Sequence, residues 1–241
     1  MEDQPTSRFA QTRWTLVQRA GGTSPEAKAA LRELCEIYYA PVVSFIRHWR
    51  HDRDDDAARD SAHAFFESLL LRDSFGQPRP QDGRFRSYLL GAVKNFLREQ
   101  HRVSSTAKRG GGARHQALDE EHQIPIFEVT YFDRAWALAI IGHAIDELKE
   151  EMASTGKAGV FEALKPWLDG NVEVTQAEVA DQLGMSETAV KVAIHRLRQR
   201  FRAKVRAGVS ATLYDPRDLD EELSHLVAVL DGDYGEIPPA Q

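Results

Sequence analysis

The stretch TQAEVADQLGMSETAVKVAIHRLRQRFR, residues 175–202, decides how the chain is read. Thr175 and Glu178 form the Thr-x-x-Glu pattern of a capping box, so a helix starts there. Ala180 faces inward, and Gly184 follows at the spacing of a tight turn between two crossing helices, where a positive φ is tolerated. Ser186 caps a second helix, whose buried stripe is Val190, Ile194, Leu197, Phe201 and Val205. Cap, turn glycine, second cap and stripe agree on a helix-turn-helix. The opposite face of the second helix carries Lys191, His195, Arg198 and Arg202 at i, i+4, i+7 and i+11. Ser186, Glu187 and Thr188 lead it, where a recognition helix meets base edges in the major groove. Arg196, Arg200 and Lys204 lie to the side, where phosphates would run. The helix dipole favours one or two cations at a C-terminus. It does not explain a one-sided stripe that begins at Lys191.

The surrounding chain is acidic, with a formal net charge of -6 over 241 residues, 42% hydrophobic and 28% charged. That composition is ordinary for a globular protein. The mean hides segregation. Residues 84–114 hold eight Lys/Arg against one acid, residues 187–206 hold seven against one, and residues 215–241 hold eight acids against one base. Two polyanion contacts and one segment that avoids polyanions follow. The one cysteine, Cys35, excludes an intrachain disulfide and reads as a buried thiol in LRELCEIYYAPVVSF. No signal peptide and no run of membrane-spanning length is seen, so the expected location is the cytoplasm, without membrane insertion.

Helical periodicity dominates and strand signals are nearly absent, so the expected fold is all-α. Two small helical domains are joined by a flexible linker and followed by a C-terminal helix. A tail of residues 1–9 precedes a first domain, residues 10–103. Ser24-Pro25 starts a helix there, with Ser as cap and Pro in the first turn. The linker, residues 104–130, contains KRGGG and little apolar content. The second domain covers residues 131–207, and an acidic extension covers 208–241. In that extension Asp215 caps, Pro216 takes the first turn, and Leu219, Leu223, Leu226, Val227 and Leu230 form an apolar stripe. Asp218, Asp220, Glu221 and Glu222 form the opposite, acidic face. Too short to persist alone, this helix is expected to dock on the second domain as a structural cap, a role that fits better than negative charge biasing the basic helix away from DNA.

RFRSYLLGAVKNFLREQHR, residues 84–102, interleaves Arg84, Arg86, Lys94, Arg98 and Arg102 with Phe85, Tyr88 and Phe96. Cations for a backbone and rings for unstacked bases suit single strands. Asn95 can hydrogen-bond a base edge. Phe96 and Leu97 read as core. HWRHDRDDD offers His48, His51, Asp52, Asp54, Asp55 and Asp56, with His63 nearby, which raises a metal phosphohydrolase. Consecutive residues in a polar break do not form a converging cage, and a solvated interhelical turn is the better reading. KRGGGAR lacks the spacing of a phosphate loop. No enzyme activity, cofactor or metal is expected.

These segments resemble sigma-70 family RNA polymerase sigma factors of the extracytoplasmic-function (ECF) type. VTQAEVADQLGMSETAVKVAIHRLRQRFR resembles their region 4. DDDAARDSAHAFFESLL with GRFRSYLLGAVKNFLREQHR resembles region 2. TRWTLVQRAG, KRGGG and DPRDLDEELSHLVAVL extend the likeness to a subgroup with a short C-terminal helical extension. The resemblance implies a sigma factor that binds core RNA polymerase and directs promoter-specific initiation. Residues 10–103 would dock on the β′ clamp helices and melt the −10 element. Residues 131–207 would read the −35 element and sit on the β flap. The linker would thread toward the RNA exit channel, its LDEEH acids mimicking nucleic acid.

By the same resemblance the −10 residues are Arg84, Arg86, Tyr88, Lys94, Asn95, Arg98 and Arg102, with Lys94-Asn95 matching the family's basic-Asn pair. Polymerase contacts fall to Asp60, His63, Phe66 and Glu67. Where family members often show Asp-x-x-Gln-Glu, this chain has Asp60, His63 and Ala64. Promoter DNA and core polymerase are the expected partners, with an anti-sigma factor or a regulatory kinase as open controllers. The alternative is a helix-turn-helix regulator with no polymerase role. The block at residues 84–102 argues against it, having no purpose in a reader of duplex alone.

Overall fold

The computed structural model describes residues 13–14, 24–50, 54–71, 84–108, 126–170, 172 and 174–232. The described residues are helical as expected. They form α1 (Pro25–Arg50), α2 (Asp55–Leu71), α3 (Phe85–Lys108), α4 (Ile126–Ser154), α5 (Ala158–Leu164), α6 (Pro166–Asp169), α7 (Gln176–Leu183), α8 (Glu187–Ala211), a 3-10 turn (Pro216–Asp218) and α9 (Leu219–Asp231). Extended pairing among them is a single bridge, Arg84 with Leu213. Both ends of the expected linker are helical, since α3 runs on to Lys108 and α4 begins at Ile126. Residues 109–112 of KRGGG, most of TRWTLVQRAG, and His51 and Asp52 lie outside the described residues.

The chain forms two compact units. The first takes residues 1–139 and 210–241, and the second takes residues 140–209. Both boundaries fall inside helices, α4 and α8.

In the first unit, Ser24 starts α1 as its sequence predicts: its Oγ accepts from the Ala27 N–H at 3.1 Å. Asp54 starts α2, its Oδ1 accepting from the Asp56 and Ala57 N–H groups, both at 3.1 Å. This cap explains one acid of the HDRDDD break. Asp55 and Asp56 pair at the surface with Arg47 and Arg59. The core joins Leu31, Leu34, Tyr38 and Phe45 of α1, Phe65 and Leu69 of α2, Phe85, Leu89 and Val93 of α3, and Phe132 and Trp136 of α4. Phe85 is its hub, edge-on to Trp14 and to Tyr38 with both centroid distances at 4.9 Å. Such aromatic pairs add about 1 kcal/mol each beyond their buried area. Cys35, 7% exposed, belongs to this core. Burial, with a smaller push from Glu36, drives its thiol pKa up to about 12.

In the second unit, Leu148, Met152, Phe161, Leu164, Trp167, Val179, Ala180, Val190, Ile194 and Leu197 form one core. Thr175 and Glu178 complete the capping box of α7: the Glu178 N–H donates to Thr175 Oγ1, and the Thr175 N–H donates to Glu178 Oε2. Gly184 ends α7 at φ 64°. Ser186 caps α8, accepting from the Ala189 N–H at 3.2 Å.

The C-terminal helix corrects part of an expectation. It packs in the first unit, where it meets the start of α3 as well as Asp133 of the expected second domain, and it is turned about its axis. Glu222, Leu226 and Val229 point inward, and Val227, assigned to the apolar stripe, is 54% exposed. The cause is Arg86, whose Nε and Nη2 donate to Glu222 at 2.6 and 3.2 Å. Arg86 Nη1 donates to Asp133 Oδ1 at 2.6 Å, and His225 Nε2 meets Asp133 Oδ2 at 2.8 Å. Arg84 pairs with Glu221 and Glu222. With a cation waiting inside, an acid is the right residue to turn inward.

Two outcomes test this description. Gly184→Ala adds a Cβ that meets nothing within 4 Å. It therefore isolates the left-handed backbone penalty, an expected loss of about 1–2 kcal/mol in a urea titration followed by circular dichroism. Gly184→Asn should lose less. Cys35 should resist maleimide in the folded chain near neutral pH and react fully in denaturant. Rapid labelling of the folded chain would contradict its place in the core.

Candidate nucleic-acid interface

Helix α8 divides its cations into two ranks. Lys191, His195, Arg196 and Arg202 are exposed, and none has an acidic partner among the described residues. Glu187 and Thr188 are exposed in its first turn, beside Ser186. The second rank faces the protein. Arg200 pairs with Glu151 of α4, and Lys204 meets Glu147 at 3.3 Å and Glu151 at 3.1 Å. Hydrogen bonds from Arg200 and then Lys204 hold the Glu151 carboxyl below the usual carboxylate range. Arg198 is exposed, but its Nε donates to the Trp167 carbonyl at 3.1 Å and so ties α8 to α6. Arg200, expected at DNA, thus fastens α8 to α4, and Arg198 is partly engaged in the same work. The buried stripe is as read, with Val190, Ile194, Leu197 and Val205 inside.

Along α3 the structure separates what the sequence grouped. Asn95, Arg98 and Arg102 share one exposed face at i, i+3 and i+7. Arg102 is held by Glu99 of its own helix, Nη2 to Oε1 at 2.6 Å. Arg86 is 6% exposed. Burial opposes its charge, but Asp133 and Glu222 outweigh burial and raise its pKa. Lys94 is 2% exposed, its Nζ 5.4 Å from the centroid of the Trp49 ring. Neither Arg86 nor Lys94 is presented to a strand in this structure, because each charge is satisfied inside the fold. Arg84 is partly covered by its two glutamates. Tyr88 is half-buried, its ring 5.2 Å from that of Trp14. Phe96 packs at 5.5 Å on Phe65, and Leu97 is buried.

On α2, Asp60, His63 and Glu67 are exposed on one face. His63 Nε2 meets the Tyr39 hydroxyl at 2.8 Å, and the rings stack at 5.3 Å, so α1 fixes its orientation. Phe66 does not join them. It is buried, 5.1 Å from Phe65, and serves the core. Among the described residues no three His, Cys, Asp or Glu side chains converge as metal ligands would. No described helix is long and apolar enough to cross a membrane.

A cleft of about 610 Å³ lies beside the exposed rank of α8, with Met152, Val160, Leu164, Met185 and Val192 among its lining residues. It went unread in the sequence because its walls come from three helices. Asp133 and Glu222 were also missed. Each stands at helical spacing from buried apolar residues, Asp133 three before Trp136 and Glu222 four before Leu226. A lone acid on an apolar stripe was the available signal.

A family model described as ECF sigma factor matches residues 24–207, which take in α1 to α7 and most of α8 and stop short of α9. No curated protein and no solved structure matches the chain. Members of that family bind RNA polymerase and direct initiation at promoters. The match extends over well more than half of the sequence and includes the helix-turn-helix, so the chain belongs to the ECF sigma factor family.

Proposed function

We infer that the chain works as a detachable polymerase subunit that reads the −35 element with α8 and the −10 element with the exposed face of α3. The observation that carries this reading is the exposed rank Lys191, His195, Arg196 and Arg202, without acidic partners among the described residues, on the second helix of a helix-turn-helix. An exposed cation stripe on a capped, rigidly cored helix is what a phosphate-lined groove selects. Asn95 and Arg98 supply a base-edge donor and a backbone cation for the −10 strand. Asp60, His63 and Glu67 form a polar face suited to the β′ clamp helices, with His63 taking the place of the family's usual Gln. The cleft beside α8 offers apolar walls to the β flap. Such a subunit catalyses nothing itself and operates in the cytoplasm, where the polymerase is.

Run-off transcription with purified core polymerase on a genomic promoter library tests the reading as a whole. Promoter-selective transcripts are expected, and their absence with a folded chain would return the protein to the class of plain helix-turn-helix regulators. Within it, Lys191→Ala and His195→Ala should each lower occupancy of the upstream element by roughly tenfold, within the range for a base contact. Arg196→Ala should weaken binding evenly across sequences and reduce the salt slope by about one. Unchanged occupancy in all three would remove α8 from the −35 contact.

A further inference from the structure

After the helix-turn-helix, the chain returns to the first unit. Thr212 C=O accepts from the Phe85 N–H at 3.0 Å, and Leu213 bridges Arg84. This caps the start of α3 with backbone from near the far end of the protein. Helix α9 then lays Glu221 and Glu222 on Arg84 and Arg86. Both arginines stand among the cations that the sequence assigns to the melted strand. Glu222 takes Arg86 through two parallel N–H···O bonds. An arginine offers the same fork to a phosphate. The C-terminal helix therefore puts carboxylates where that reading puts nucleic acid.

We propose that α9 is an intramolecular anion that competes with promoter DNA for Arg84 and Arg86: a latch, shut in the free chain and released when the polymerase-bound chain engages the melted strand. This rests on the promoter-binding reading above, extended to Arg84 and Arg86, which α9 covers in the free chain and which the sequence groups with the −10 cations. Three observations favour a latch over a permanent part. First, a buried ion pair gains little net stability, because desolvation of both partners offsets their attraction. Second, α9 fully buries only Leu226 and Val229 among its apolar side chains, with Val227 facing outward. Third, a helix of 13 residues does not persist alone in water. Undocking and unfolding of α9 then coincide, which makes it a local unit of low stability.

Opening hydrates Arg84 and Arg86 and leaves the Phe85 N–H to water, so no charge is left buried without a partner. Asp133, which Arg86 and His225 share while the latch is shut, loses its His225 contact.

Hydrogen exchange on the full-length chain tests this in three states: free, with core polymerase, and with polymerase on a promoter with a pre-melted −10 bubble. Peptides covering residues 212–231 should exchange at least tenfold faster in the promoter complex, while α8 stays protected. Undiminished protection there would make α9 a permanent scaffold and overturn the latch. In parallel, the double substitution Glu221→Gln and Glu222→Gln should tighten binding of the polymerase-free chain to a single-stranded −10 oligonucleotide by roughly tenfold, the change expected when a competing state about ten times more populated than the open one is removed. Adding Arg84→Ala and Arg86→Ala should abolish the gain. A double variant that stays helical and gains nothing overturns the proposal, and for one that loses helicity the exchange result on the natural chain decides. Run-off transcripts from the same complexes separate the two levels. Transcripts with α9 still protected refute the latch alone, whereas no transcripts refute the promoter reading and the latch together.

Discussion

Arg86 carries a full positive charge at 6% exposure, and the first unit is arranged around that fact. An unpaired guanidinium could not be tolerated there, because the cost of removing it from water is several kcal/mol. Two carboxylates meet it, from positions 47 and 136 residues further along the chain. The Trp136 ring lies beneath it, 5.1 Å from the guanidinium carbon. One charge thus fixes the placement of α3, the first turns of α4, and α9 with respect to one another. Each of these elements has an apolar face of its own, but an apolar face sets no register. The fork of hydrogen bonds does, since it accepts carboxylates only along defined directions.

Charge is used differently in the second unit. The basic end of α8 looked uniform in sequence. Glu147 and Glu151 of α4 take Arg200 and Lys204, and the Trp167 carbonyl takes Arg198 Nε. These pairs sit near the surface, where each contributes little to stability. Their effect is orientation: they hold α8 so that Lys191, His195, Arg196 and Arg202 stay outward. The acidic balance of the whole chain is compatible with DNA binding because the charge is segregated: residues 187–206 hold one acid, whereas residues 215–241 hold eight.

The helix-turn-helix and α3 also differ in how their helices begin. In the helix-turn-helix, local chemistry suffices: a capping box at Thr175, a left-handed glycine at 184 and a serine cap at 186 are all within one short stretch. The start of α3 relies on Thr212, which is distant in sequence. Local starts make the helix-turn-helix self-defining. A non-local start makes α3 dependent on what residues 210–232 are doing, and this is the physical root of the coupling drawn between α9 and the arginines.

By itself the sequence determined the all-α class, the helix-turn-helix with its caps and its buried stripe, the outward Lys191, His195 and Arg202, and the family. Those features are encoded by spacings of three, four and seven residues, which one helix reads out without help from the rest of the chain. Tertiary structure decided the fates of Arg86, Lys94, Phe66 and Glu222, all four of which lie buried although the sequence had assigned the first three to partners and the last to an acidic surface. It also placed α9 in the first unit. The physical reason is common to these cases. Whether a charge faces water depends on a counter-charge or ring supplied by another segment, Asp133 and Glu222 for Arg86 and Trp49 for Lys94, and periodicity along one helix carries no information about what stands opposite it.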